Sequence, residues 1–333
     1  MDADTKVNGV LDVATVVYSQ ELPLLRLQAC SMARYLDPRG IGRIVVIVND
    51  IDEAGCAAGV EAMRPDWGRL APRLDIVGAE ALFALRPEAN GPRGPGQHFR
   101  LWLSRNRRRY PFGVKGGWRG NRGWRVQQAL KLAVARQGDS PFVLLLDAKN
   151  HFVRPVGLGS FVGVDGRALS FKHLAGDKRD RWIAGSFRFF GLPPPGRDTA
   201  SPPTVTPVVV PRAILRGCLD AIESRAGPVE AFFIRAKGDV SEFMLIYAYV
   251  AGHCGGWDAV FAAGLVPSAT IHRRGGADEI ERVLALVEAD AAEILSVHNS
   301  RRAGLAAEHR RRIEAIWRDR GLPGEGLLAA ASE

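Results

Sequence analysis

Cysteine is scarce and scattered in this chain. Cys30, Cys56, Cys218 and Cys254 form no Cys-x-x-Cys pair, which argues against a zinc ribbon or a small disulfide framework and suits a reducing compartment. The opening residues Met1-Asp2-Ala3-Asp4 lack a basic segment followed by an apolar one, and no apolar run reaches the ~18 residues of a spanning helix. A cytoplasmic protein is expected, with at most a peripheral contact at the inner face of a membrane. There is also no Gly-x-Gly-x-x-Gly after a strand, no Walker sequence, no His-Glu-x-x-His and no Gly-x-Ser-x-Gly elbow. These absences disfavour a dinucleotide oxidoreductase, a P-loop enzyme, a zincin and a serine hydrolase. Acid is missing from one long stretch: residues 89 to 138 hold twelve of the 45 Lys and Arg and no Asp or Glu, leaving 33 basic against 36 acidic residues elsewhere. The net charge of +9 is therefore local, a pattern that points to a polyanionic ligand at one place more than to nonspecific nucleic-acid binding.

What is present reads as an α/β protein. A hydrophobic fraction of 47% with 24% charged residues is ordinary for a globular chain, and 333 residues can bury a large core. The organising stretch is Phe142-Val-Leu-Leu-Leu-Asp147-Ala-Lys149-Asn150-His151-Phe152-Val-Arg154-Pro155. Five apolar residues without alternation indicate a strand buried on both faces, and Asp147, Lys149 and Asn150 follow at its carboxyl end, where ligands of open α/β sheets gather. A plain turn, with Asp147 and Asn150 bonding their own backbone, explains the same residues.

Leu11 to Val17 and Arg43 to Val48 read as further buried strands, the first followed by Tyr18 and an amphipathic helix through Leu22, Leu25, Leu27 and Met32, the second ending in Asn49-Asp50. A helix near residues 53 to 63 and a short strand at 74 to 77 follow, so the sheet should be mainly parallel with right-handed crossovers. Asn90 to Gly96 is too rich in Gly and Pro for helix or central strand and reads as a mobile loop. Beyond it Gly-Trp-Arg occurs twice, at Trp118 and Trp124, among arginines. Such a segment suits either single-stranded nucleic acid or a flap over a polyanion; a solvated loop anchored by tryptophans is the plain alternative. A helix from Trp124 through Val134 to Gly138 places Gln128 and Lys131 on one face. Later segments suggest a strand at 168 to 171, helices near 181 to 191, 211 to 224, 228 to 237 and 242 to 251, and an irregular loop from Pro193 to Pro207. A last strand is expected at 268 to 272, then amphipathic helices near 278 to 290 and 302 to 320, the latter docking on the body or touching a membrane.

The order Thr15-Val-Val-Tyr18, Gly123-Trp124-x-x-Gln127-Gln128-x-x-Lys131, Leu146-Asp147 with Phe152-Val-Arg154-Pro155, and Ser241-Glu242-Phe243 with Tyr247 and Tyr249 resembles bacterial glycosyltransferase-like proteins of the GT-A type, a largely uncharacterised group. The resemblance spans roughly residues 10 to 260. It implies a GT-A-like domain over residues 1–275, with a donor half at about 1–155 and an acceptor half at 156–275, and a C-terminal helical extension over 276–333. It also implies transfer of a sugar from a nucleoside-diphosphate sugar to a glycan, lipid-linked or small-molecule acceptor. On that resemblance Thr15, Tyr18, Asn49, Asp50, Gln127, Gln128, Lys131, Lys149 and Asn150 bind the donor, with Tyr18 stacking on its base. His173 and Trp182 face the acceptor, and Glu242 and Asp147 are catalytic, Glu242 as a base at a helix start. Asp239-x-x-Glu242 also fits a capping box.

GT-A enzymes usually carry Asp-x-Asp for a divalent metal, whereas the matching triplet here is Asp147-Ala148-Lys149. Asp147 is then the one candidate ligand for Mn²⁺ or Mg²⁺, and an ammonium cannot ligate either. Either Lys149 replaces the metal by its charge or catalysis is lost. Two other readings stay open: a non-catalytic binder of sugar nucleotides or glycans, and a nucleic-acid-binding protein built on the basic Trp/Arg stretch.

Overall fold

Leu11 to Val17 are all buried because this strand lies inside a sheet with helices on both faces. The computed structural model describes residues 9–85, 123–173, 177–196, 198–236, 238–264, 268–272, 275–302 and 304–328. The basic stretch of residues 90 to 122, with its expected loop or flap, lies outside the described residues. In chain order the strands are β1 (Leu11–Val17), β2 (Ile41–Val48), β3 (Leu74–Gly78), β4 (Phe142–Asp147), β5 (Asn150–Phe152), β6 (Ala168–Ser170), β7 (Val208–Pro211), β8 (Phe261–Ala263), β9 (Ser268–Ile271) and β10 (Ile294–Val297). The α-helices are α1 (Leu22–Tyr35), α2 (Glu53–Ala62), α3 (Ala79–Ala84), α4 (Gly123–Ala133), α5 (Asp177–Phe189), α6 (Arg212–Ala226), α7 (Val229–Arg235), α8 (Glu242–His253), α9 (Trp257–Val260), α10 (Ala277–Glu288), α11 (Asn299–Arg302) and α12 (Ala307–Asp319).

The central sheet has the order β3-β2-β1-β4-β7. Four strands are parallel and β7 runs antiparallel to β4, so the α/β class and the mainly parallel sheet expected from the sequence are both present. The chain steps outward from β1 through α1 to β2 and through α2 to β3, then returns to add β4 on the other side of β1. The sheet thus reverses its winding between β1 and β4, and it is outside the carboxyl ends of strands at such a point that open α/β sheets place their ligands. After β4 the turn at Ala148 and Lys149 leads into β5, which leaves this sheet for a second one of order β5-β10-β9. Lys149 therefore sits where the two sheets part.

The opposite edge is closed by a buried ion pair. Asp12 of β1 accepts from Arg43 N (2.8 Å), Ser140 Oγ (2.7 Å) and the Arg212 guanidinium, which also donates through Nε to Ser140 O (2.7 Å) and through Nη1 to Gln137 O (2.5 Å). Gly138 turns the chain beside this pair with φ +82°, and a Cβ there would lie 2.6 Å from Asp12 Oδ2. Only glycine meets both demands.

Four strands are absent from the sequence reading: β5, β7, β8 and β10. Val208 to Pro211 is β7, although only a loop and a helix start are legible there; the run lies between a proline-rich loop and Pro211, and Pro211 is tolerated because β7 is an edge strand. Residues after 275 are not purely helical either: β10 lies between β5 and β9, so β9 is not the last strand. In α12 the apolar residues Ile313, Ile316 and Trp317 are buried, the Trp317 ring meeting His151 edge-on at 5.5 Å. That helix docks on the body and offers no apolar stripe to a membrane. No helix among the described residues is long and apolar enough to cross one.

The Asp12–Arg212 pair has a testable consequence. Asp12→Ala leaves a buried guanidinium without its carboxylate and should lower the unfolding free energy by about 3–5 kcal/mol, measured by urea denaturation. Asp12→Leu combined with Arg212→Met should recover most of that loss. A loss under about 1 kcal/mol for Asp12→Ala would show that water reaches the pair.

Candidate functional site

The crevice between β1 and β4 gathers charged groups from four elements. At its centre Asp147, the last residue of β4, holds two ammonium groups: Lys131 Nζ of α4 lies 2.8 Å from Oδ1 and Lys149 Nζ 2.8 Å from Oδ2. Gln127 Nε2, one helical turn before Lys131, donates to the same Oδ1 at 3.3 Å. Lys131 also reaches Glu242 Oε1 at the start of α8, at 3.3 Å. Burial by itself would raise the Asp147 carboxyl, but Lys131 and Lys149 outweigh it and hold Asp147 well below the usual carboxylate range. Burial opposes the charge on Lys131, yet Asp147 and Glu242 keep it above its ordinary value. Glu242 is raised because burial is only partly offset by Lys131. Glu242 is not the cap of its helix. Ser241 is the N-cap, its hydroxyl accepting from Met244 N at 3.3 Å, which leaves the Glu242 carboxylate to Lys131.

A second layer of polar residues holds this cluster in place. Asn150 is fully buried, accepts from Asp147 N at 2.6 Å and donates to Ser296 Oγ of β10 at 2.6 Å, so it bolts the Lys149 turn to the second sheet. Thr15 is buried and donates to Gln28 Oε1 at 2.9 Å, while Gln28 Nε2 donates to the carbonyls of Asp147 (2.8 Å) and Asn150 (3.0 Å). Asp50 accepts from Ser19 N at 2.7 Å and Asp52 N at 2.9 Å, fixing the turn that follows β1. Asn49 donates to Gly123 O at 3.3 Å, joining the end of β2 to the start of α4. Gln128 is buried against its own helix, 3.5 Å from Trp124 O. Tyr18 caps the turn after β1 and is half-buried.

Of the residues read from the sequence, Asp147, Lys149, Lys131, Gln127 and Glu242 meet directly, whereas Thr15, Asn49, Asp50 and Asn150 support the walls. Trp182 donates to Gly238 O at 3.0 Å and its ring lies 6.2 Å from that of Trp124. His173 pairs through its backbone with Ser201 and places its ring 5.6 Å from Phe171.

Three participants were not legible beforehand. Gln28 had a signal: it is a polar residue within the apolar stripe Leu24, Leu25, Ala29 and Met32 of α1. Glu21 lies in the turn after β1, and its carboxyl is pushed up to about 8 by burial and by the charge of Asp147, against the pull of Lys149, Lys131 and Arg302. Arg302 of α11 had none, because it reaches Glu21 only through the fold of the tail. At neutral pH Glu21 is thus mostly protonated, and the cations Lys131, Lys149 and Arg302 face the anions Asp147 and Glu242. In that group the cations outnumber the ionised carboxylates by three to two, with Asp50 close by on the Ser19 side.

The same geometry tests a divalent metal. Both oxygens of Asp147 carry an ammonium, and Lys149 stands in the place of a second carboxylate, so these residues do not fit a Mn²⁺ or Mg²⁺ ion at Asp147. Among the described residues, three possible metal ligands come together only at Glu281, Glu308 and His309 on α10 and α12. Arg312 already pairs with Glu281 there.

Residues 4–273 match DUF6492, a family of unknown function. No curated protein sequence matches the chain. Among solved structures, the galactosyltransferase LgtC in complex with donor and acceptor sugar analogues is similar over 93% of this chain and 99% of its own, at 12% identity and a TM-score of 0.43. Mouse xyloside xylosyltransferase 1 in its apo form is similar over 83% of this chain and 92% of its own, at 11% identity and a TM-score of 0.36. The apo bifunctional glycosyltransferase WbbM covers 99% of this chain, which spans 53% of that protein, at 10% identity and a TM-score of 0.41.

Glu21 makes stability depend on pH in a defined direction. Between its ordinary 4.5 and about 8 the folded state binds this proton more tightly than the unfolded state, so its contribution falls as pH rises through that window. Glu21→Gln should flatten the decline and be more stable than the parent at about pH 8.5 in urea titrations. An unchanged pH profile would show that the carboxyl is already ionised at neutral pH.

Proposed function

The chain belongs to the DUF6492 family, and from the site it carries we propose that it is a glycosyltransferase acting on a nucleoside-diphosphate sugar. The observation that carries this reading is the pair of ammonium groups, Lys131 and Lys149, gathered on Asp147 at the point where the sheet reverses, at the carboxyl end of β4. Such a pair favours a dianionic ligand delivered to strand ends. An ammonium has three donors, and Lys149 gives one to Asp147, which leaves two for a diphosphate. Lys131 and Arg302 add charge nearby, and Tyr18, in the turn after β1, would stack on the base. As the sugar departs, these cations stabilise the negative charge that develops on the leaving diphosphate.

Glu242 would act as base if the reaction inverts the anomeric centre. It faces the crevice from α8, and burial raises its affinity for a proton, which suits a group that takes one from an acceptor hydroxyl. Lys131 lies between Glu242 and Asp147 and keeps the two carboxylates from repelling each other. The donor half is residues 1–155 and the acceptor half 156–275, and the segment after 275 supports the donor side through β10 and α11. A second reading, a non-catalytic binder of sugar nucleotides, is favoured by Lys149 in place of a second carboxylate.

Donor binding is tested by thermal shift against a panel of nucleoside-diphosphate sugars with and without Mn²⁺, since a ligand of the native state raises its melting temperature. A shift that needs no metal and survives EDTA is expected. Lys149→Ala should weaken donor binding by about tenfold or more, and strict dependence on Mn²⁺ would overturn the role given to Lys149.

Catalysis is tested by donor hydrolysis and transfer. Glu242→Gln should reduce turnover by about 10²–10⁴-fold with donor affinity little changed. Donor that binds yet is never hydrolysed or transferred would leave the binder reading in its place.

A further inference from the structure

Among the described residues Trp124 is the one tryptophan that is exposed, at 47%, although it opens a helix whose next turns line the site. It does not stand alone. The Trp182 ring lies 6.2 Å away, tilted by 36°, and is pinned by a hydrogen bond from Nε1 to Gly238 O at 3.0 Å. Arg181 donates to the same carbonyl at 2.9 Å and pairs with Asp239 at 3.3 Å, both side chains being well exposed. Gly238 has φ +89°, and a Cβ there would lie 3.9 Å from Trp124 Cζ3 and 3.6 Å from Arg181 Nη2. The backbone thus passes close beneath a fixed aromatic shelf with a guanidinium and a carboxylate on its rim.

Two short lengths of chain join this shelf to the crevice. Trp124 precedes by one helical turn, about 5 Å of rise, the Gln127 side chain that bonds Asp147. Gly238 and Asp239 lead within four residues to Glu242, which bonds Lys131. The shelf therefore borders the crevice on the side of Glu242, where the proposed base stands.

We propose that Trp124, backed by Trp182, is a stacking platform for a pyranose ring of the acceptor, with Arg181 and Asp239 bonding the hydroxyls at its edge; the assignment to an acceptor rests on the glycosyltransferase reading above. The chemistry of the shelf selects this class of ligand. A pyranose presents an apolar face of C–H groups that covers an indole, and its ring of hydroxyls asks for donors and acceptors around that face. Arg181 supplies donors and Asp239 acceptors, each within reach of the shelf. A nucleic acid also stacks on tryptophan but needs cations along its backbone. Here the guanidinium is already paired with Asp239, and Asp180 adjoins it, so among the described residues Arg181 offers the shelf a balanced pair of charges and not a free cation. An uncharged glycan is the better fit.

The test uses cellobiose, maltose and N,N′-diacetylchitobiose as probes, followed by saturation-transfer NMR and tryptophan fluorescence on the full chain. At least one should receive saturation through the C–H protons of a ring and quench fluorescence saturably. Trp124→Ala should weaken that binding about tenfold or more, Trp124→Phe should retain most of it, and both should keep the melting temperature and the nucleotide-sugar thermal shift of the parent. No transfer to any of the three probes at tens of millimolar, or equal binding by Trp124→Ala, would overturn the platform. So would Trp124-dependent binding of oligothymidylate in preference to the disaccharides. Saccharide binding that persists while no nucleotide sugar shifts the protein would leave the platform standing and remove only the glycosyltransferase reading.

Discussion

A buried lysine needs its charge answered, and in this protein that need ties the site together. Lys131 is almost wholly enclosed and lies within 3.3 Å of both Asp147 and Glu242. Ammonium and carboxylates removed from water lose several kcal/mol of hydration each, a loss that close pairing and hydrogen bonds can recover only in a fixed geometry. Helix α4, the end of β4 and the start of α8 are therefore held to one point. Asp147 extends the constraint to Lys149, and the amide of Gln28 extends it to the backbone of the turn that carries Lys149.

That arrangement decides the kind of chemistry the crevice can support. A pair of carboxylates at the end of β4 would make the place negative and attract a divalent cation. With Lys149 in the triplet the same position carries positive charge of its own, and Asp147 serves as a counter-ion that orients two ammonium groups. Glu21, protonated at neutral pH, adds a hydrogen-bonding group without cancelling this charge. The burial that raises Glu21 and Glu242 and the cations that hold Asp147 low act in one small volume, and they push neighbouring carboxyl groups apart in acidity. Groups separated in this way can divide roles that identical groups could not.

The segment beyond residue 275 is part of the same construction. Its strand β10 pairs with β5 through Ser296 and Asn150, and α11 brings Arg302 to the Glu21 side of the crevice. The second hydrophobic cluster, with Trp317 at its centre, packs against α1 through Leu27 and against the residues that follow β5. The floor of the site thus rests on two sheets, and the turn with Lys149 is the hinge between them.

How much of this was written in the sequence depends on whether the information was local. Buried strands such as Leu11 to Val17 and Val143 to Leu146 announce themselves as unbroken apolar runs, and a polar group just after such a run marks a strand end; Asp147, Lys149 and the α/β class were legible for that reason. Helical spacing put Gln128 and Lys131 on one face of α4, yet it is Gln127 that joins Lys131 at Asp147 while Gln128 turns to its own helix, and the apolar stripe of α1 made Gln28 conspicuous in retrospect. By contrast β7 follows a proline-rich loop and ends in Pro211, and β10 follows a helix in a tail that reads as helical; both are placed by the strands they pair with. The partnership of Lys131 with Glu242 spans 111 residues. Arg302 comes near Glu21 only through the fold of the tail, and the Trp124–Trp182 shelf needs α4 and α5 to be set side by side. The sequence alone determined which segments bury themselves and which polar residues end them, because burial follows the period of the side chains. Only the tertiary structure decided which charges meet, because the energy of a buried ion pair depends on distances that no local pattern specifies.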